Sequence, residues 1–142
     1  MPQVTSTIEI AARPSEVWQW FTSQETLRQW LSPTLEIDLR VAGAFRMVGP
    51  DETTSIVGTV LEYVPEGCLV LSWLEEDANW VHPGRLVITL APIATGTRMT
   101  LVHDGFAGIG KEGWEQTMAA YERGIDKHQV LQKLADVVTA RG

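Results

Sequence analysis

The chain has 142 residues, 44% hydrophobic and 20% charged, enough for one globular domain over residues 1–142 whose core needs no disulfide staples. A formal charge of −7, with the eleven basic residues scattered rather than gathered in a stripe, excludes a binder of nucleic acid and disfavours attachment to an anionic membrane surface. No apolar run approaches the ~20 residues of a membrane span, so no membrane insertion is expected; Cys68 has no second cysteine to pair with, and the opening MPQVTSTIEI lacks the features of a signal peptide, so the expected compartment is the cytoplasm.

The first element is a half-buried strand, with Val4, Ser6, Ile8 and Ile10 on one face and Thr5, Thr7 and Glu9 on the other. Pro14-Ser15 then opens a short helix that buries Val17, Trp18 and Phe21. Thr22-Ser-Gln-Glu25 reads as a capping box for a second short helix carrying Leu27, Trp30 and Leu31, which Pro33 ends. From Leu35 to Val41 strict alternation predicts a strand, and Gly43 marks a turn or bulge before Ala44–Val48. Gly49-Pro50-Asp51 is a turn, Thr54–Val64 a strand interrupted by Gly58, and Pro65-Glu66-Gly67 a turn into Cys68–Leu74. Glu75–Gly84 reads as a polar loop; strands through Leu86–Leu90 and Arg98–Val102 flank the turn at Ala94-Thr95-Gly96.

The last helix is expected from about Lys111 to Thr139, since Trp114, Met118, Tyr121, Ile125, His128, Leu131, Ala135 and Val138 step at three or four residues. Gly124 falls inside that stripe, either as a close-packing contact or as a bend that makes room for a ligand. The fold class is therefore α+β: a curved antiparallel sheet of about six to seven strands wrapped around a long C-terminal helix, with two short helices after the first strand. Such a wrap leaves room for an internal cavity.

Val17-Trp18, Trp30, Pro33 and Asp38-Leu-Arg40-Val-Ala-Gly43 resemble the front half of the activator of heat-shock protein 90 ATPase homologue-like branch of the SRPBCC superfamily, which also holds START and birch-pollen-allergen-like domains. Gly58-Thr-Val60-Leu-Glu62-Tyr-Val-Pro65, Leu69-Val-Leu-Ser-Trp73, Gly96-Thr97-Arg98-Met-Thr-Leu101-Val-His103-Asp-Gly105-Phe106 and Gly113-Trp114 resemble the rest, in order. The resemblance implies a helix-grip fold with a cavity that in the superfamily holds lipids, sterols, polyketides or aromatic compounds; a minority of members are cyclases or hydrolases. The chain departs from the pattern at Ala42, where a second glycine often stands, and in a longer C-terminal helix that points to a homodimer. The eukaryotic co-chaperone adds a separate N-terminal domain with no counterpart in these residues.

The expected ligand site is lined by Phe21, Trp30, Phe45, Trp73, Met99, Leu101, His103, Trp114, Met118, Tyr121 and Ile125, aromatics supplying burial and His103 with Tyr121 supplying orientation. Adjacent on a strand, His103 and Asp104 leave opposite faces and cannot form a dyad; His103 is either a satisfied rim histidine or a polar group facing the ligand. With Tyr121 it could serve as a general base, although no catalytic set is assigned. Glu62 and the run Glu75-Glu76-Asp77 read as solvated, and the histidines and Cys68 have no zinc spacing, so no metal and no cofactor are expected. Gly105, Gly108, Gly110 and Gly113 lack the ending of a phosphate loop and read as a mobile lid, with Trp80 and His82 as the opposite lip. The first functional reading is a small hydrophobic or aromatic ligand bound in this cavity. A cyclase or hydrolase acting on a bulky aromatic or polyketide-like substrate is the second, and a partner of a heat-shock protein 90 chaperone the third.

Overall fold

The computed structural model describes residues 3–49 and 52–140, without the side chains of residues 125–128. The turn expected at Gly49-Pro50-Asp51 lies, apart from Gly49, outside the described residues, as do the side chains of Ile125 and His128. Seven strands form the sheet: β1 (Gln3–Ile10), β2 (Glu36–Ile37), β3 (Ala44–Val48), β4 (Ser55–Val64), β5 (Cys68–Glu75), β6 (Gly84–Ile93) and β7 (Gly96–Asp104). Their spatial order is β1-β7-β6-β5-β4-β3-β2, and every neighbouring pair is antiparallel. Hairpin-length turns make five of these pairings local; only β1 returns from the start of the chain, pairing Gln3 with Asp104 and Ile10 with Thr97.

Between β1 and β2 the chain makes α1 (Pro14–Trp18), a 3₁₀ turn at Gln19–Phe21, and α2 (Gln24–Arg28). The cap of α2 is one residue later than the sequence pattern indicates. Ser23 Oγ accepts from the Thr26 amide, and Thr26 Oγ1 accepts from the Ser23 amide, while Thr22 closes the preceding turn on Gln19. Two further helices, α3 (Trp114–His128) and α4 (Val130–Ala140), cover the inner face of the curved sheet, which gives the helix-grip arrangement.

Three local departures from the alternation pattern have physical causes. The strand expected over Leu35–Val41 ends at Ile37, because Arg40 and Gly43 donate to the carbonyls of Asp38 and Arg40 in a tight turn that leaves Val41 63% exposed. At Gly43 a Cβ would stand 2.1 Å from the Asp38 carbonyl oxygen, so the turn requires glycine. In β4 the register shifts between Val60 and Glu62, a bulge that turns Leu61 to solvent. Finally, the C-terminal helix is broken at Gln129, whose φ of 49° is left-handed and whose carbonyl accepts from the Lys133 amide to begin α4. Gly124, the position where a bend was conceivable, lies within α3.

The apolar face of α4 buries Leu131, Leu134, Ala135 and Val138. By contrast, no described residue of α3 is fully buried. An amphipathic helix that covers a sheet without sinking its stripe into it leaves space beneath, and α3 does this.

Candidate functional site

That space is a cavity of about 580 Å³ between the sheet and the α3–α4 junction. Its floor comes from the inward positions of the strands. Alternation brings Ser6 and Ile8 of β1, Leu101 and His103 of β7, Leu86 of β6, and Trp73 and Glu75 of β5 to the same side. Tyr121 and Gly124 of α3, then Gln129 and Leu131 across the helix break, form the roof. The left-handed residue Gln129 therefore sets the angle at which the two helices leave the cavity between them and β1.

One end of the cavity is polar and hydrogen-bonded in series. Trp73 Nε1 donates to the Tyr121 hydroxyl at 2.9 Å, and that hydroxyl donates to Glu75 Oε2 at 2.5 Å. The His103 ring lies against both aromatics, 4.8 Å from the Trp73 centroid in an edge-on contact and 5.0 Å from Tyr121. His103 is 7% exposed, and its ring also lies 6.1 Å from that of Phe106. Burial pushes its pKa from 6.5 down to about 4, only partly offset by the charge of Asp104, so the ring is neutral at neutral pH. Asp104 itself points to the other face, where Arg85 of β6 grips it through Nη2 at 2.7 Å and Nε at 3.1 Å. The pleat separates the two neighbours as expected, giving one a neutral cavity-facing ring and the other an outer ion pair.

Of the residues expected at a ligand site, Trp73, Leu101, His103 and Tyr121 line this cavity, while the side chain of Ile125 is outside the description. The other six do not line it, for separate packing reasons. Phe21 and Trp30 belong to a closed aromatic cluster under α1 and α2: Phe21 stacks on Trp18 at 4.8 Å, Trp30 tilts against Phe21 at 5.0 Å, and the Tyr63 hydroxyl donates to the Phe21 carbonyl. Phe45 packs behind Trp73 at 6.1 Å and supports it from β3. Met99, opposite Ile8 and Leu90 in the sheet, is wholly covered. Trp114 and Met118, on the first half of α3, pack partly buried against the core and are not among the residues that line the cavity.

Glu75 is a cavity-lining position that the sequence reading missed. As the first of three acidic residues it looked solvated, yet β5 extends one residue beyond Leu74 and puts Glu75 on the same face as Leu69, Leu71 and Trp73. That two-residue spacing was the available signal. Glu76 behaves as expected of the run, accepting from Ser55 at the surface, and Glu62 is exposed.

The glycine-rich segment, expected as a lid, is packed and hydrogen-bonded against the loop before β6 in this structure. Val81 and His82 both donate to the Ile109 carbonyl, Phe106 and Ile109 are buried, and Trp80 packs on Phe106 and Tyr121. Gly105 and Gly110 are there because φ values of 84° and 86° demand them. The two loops buttress the polar end of the cavity. Among the described residues there is no cluster of metal-ligating side chains and no helix long and apolar enough to cross a membrane.

The family model described as Activator of Hsp90 ATPase homolog 1-like protein matches residues 11–137. The chain belongs to that family. None of the curated proteins matches it. Among solved structures, the protein MLL2253 from Mesorhizobium loti is 20% identical, with 98% of this chain and 97% of that one aligned at a TM-score of 0.78. The Aha1 dimer from Colwellia psychrerythraea is 13% identical over 97% and 96% of the two chains, at 0.72. DynU16, a protein in the dynemicin biosynthetic locus, is 18% identical at 0.76, over 98% of this chain and 48% of that one. At these identities the likeness to this member of the Activator of Hsp90 ATPase homolog 1-like family is one of fold.

Proposed function

We propose that the protein binds a small apolar or aromatic molecule in the cavity between the sheet and the α3–α4 junction. The observation that carries this reading is the cavity of about 580 Å³ with the buried His103 imidazole on its wall. A volume in the range of ~300–1,000 Å³ accommodates drug-sized ligands, and apolar walls with a few convergent polar groups are how such sites bind and orient. Leu86, Leu101 and Leu131 supply apolar walls, while the neutral His103 offers a hydrogen-bond acceptor or donor to one polar group of the ligand. The reading invokes no cofactor. A neighbour of this fold titled as belonging to a biosynthetic locus fits a small-molecule role.

Ser6 gives the cleanest test, since its small side chain faces the cavity from the edge strand β1. Phenylalanine there fills the space with a residue that strands favour. Titration with 2-naphthylethanol, followed by tryptophan fluorescence, should show saturable binding to the native protein. Ser6→Phe should bind at least about tenfold more weakly while retaining a cooperative thermal transition. Equal binding by the folded variant would move the ligand elsewhere.

A further inference from the structure

Among the described residues, the charges that line the cavity are one-sided. Among the described residues no lysine or arginine lines it, and Glu75 is the one carboxylate that does. Burial keeps His103 neutral, so it supplies no compensating positive charge. Glu75 Oε2 accepts from the Tyr121 hydroxyl, but among the described residues no ion pair and no second hydrogen-bond donor reach the carboxylate. Glu75 is half-buried and lines the cavity, so a cationic or hydrogen-bonding group of a ligand can reach its carboxylate.

Two further features favour a cation at this place. The Tyr121 hydroxyl, which itself accepts from Trp73 Nε1, donates to Glu75 Oε2 and so holds the carboxylate at the cavity wall. The whole molecule carries −7, which raises the local concentration of cations and depletes anions around it. A ligand carboxylate would instead be brought beside Glu75, where like charges repel.

We propose that the cavity selects apolar or aromatic amines, their ammonium group held by the Glu75 carboxylate, and rejects the matching carboxylates. The inference rests on the ligand-binding reading above and names the chemical class that the site takes.

Three probes with one ring system and one chain length separate the two claims: 2-naphthylethylamine, 2-naphthylethanol and 2-naphthylacetate, titrated calorimetrically at neutral pH. The amine should bind about tenfold more tightly than the alcohol, with the acetate weakest. In Glu75→Gln the ratio of amine to alcohol affinity should fall to about one, a comparison internal to the variant and so insensitive to a general loss of folded protein. If amine and alcohol bind the native protein equally, or the acetate binds best, the preference for amines is overturned while the cavity remains a binding site. If none of the three binds, both readings fall. Should Glu75→Gln not fold, the order of the three probes on the native protein decides alone.

Discussion

Replacing Gly58 with alanine should lower the melting temperature by about 10 °C, a loss of about 3 kcal/mol. Gly58 sits in the middle of β4, paired with Phe45 of β3. A Cβ at this position would stand 1.9 Å from the Ser72 carbonyl oxygen and 2.6 Å from Phe45 Cε1. The phenyl ring can rotate away; the carbonyl belongs to the backbone of β5 and cannot move without disturbing its pairing with β4 and β6. The consequence reaches the cavity, because Phe45 packs on Trp73 and Trp73 positions the Tyr121 hydroxyl. Differential scanning calorimetry on the two proteins checks this directly. A shift of only a degree or two would mean that β4 and β5 separate more easily than their register indicates.

The second large effect is a pH dependence centred on His103. An imidazole in the unfolded chain takes a proton as pH falls through 6.5, whereas the buried ring in the folded protein takes one only near 4. Between those values the unfolded state binds more protons, so stability rises with pH and is lost on acidification through that window. The displacement corresponds to about 3 kcal/mol when complete. His103→Gln removes this contribution and leaves the carboxylates in place, so the acid-induced loss of stability from pH 6.5 to 4 should be smaller in the variant by about that amount. Urea unfolding of both proteins across the window measures the difference. Parallel curves would mean that the folded protein already offers the protonated ring a partner.

Much of the scaffold is legible in the sequence because two simple periods carry it. Alternation in β1 and β7 correctly sorts Ser6 from Thr5 and His103 from Asp104, and turn residues separate β3 through β7 at near their observed ends. Alternation alone failed at Leu39 and Val41, where the pattern persists but the hydrogen bonds close a turn at Gly43. Helical period also failed to reveal the break at Gln129, a residue with no sequence signature for left-handed backbone. The site was legible only in part, since a periodic pattern assigns a face but not the neighbour that covers it. Phe21 and Trp30 point inward as expected, yet Trp18 and Tyr63 occupy the space in front of them. Glu75 was masked by the opposite error: its acidic neighbours suggested solvent, while its strand position put it beside Tyr121.

That cavity, bounded by β1, β7 and the α3–α4 junction, is the centre of the functional reading, and the location of a bound probe tests it most directly. With 2-naphthylethanol at saturation, isotope-filtered nuclear Overhauser spectra of methyl-labelled protein should show contacts from the naphthalene protons to Leu86, Leu101 and Leu131, which line the cavity from β6, β7 and α4. Leu27 and Leu35, buried outside it, should show none. Contacts confined to surface methyls such as those of Val41 or Val81, or no contacts at saturation, would contradict the account.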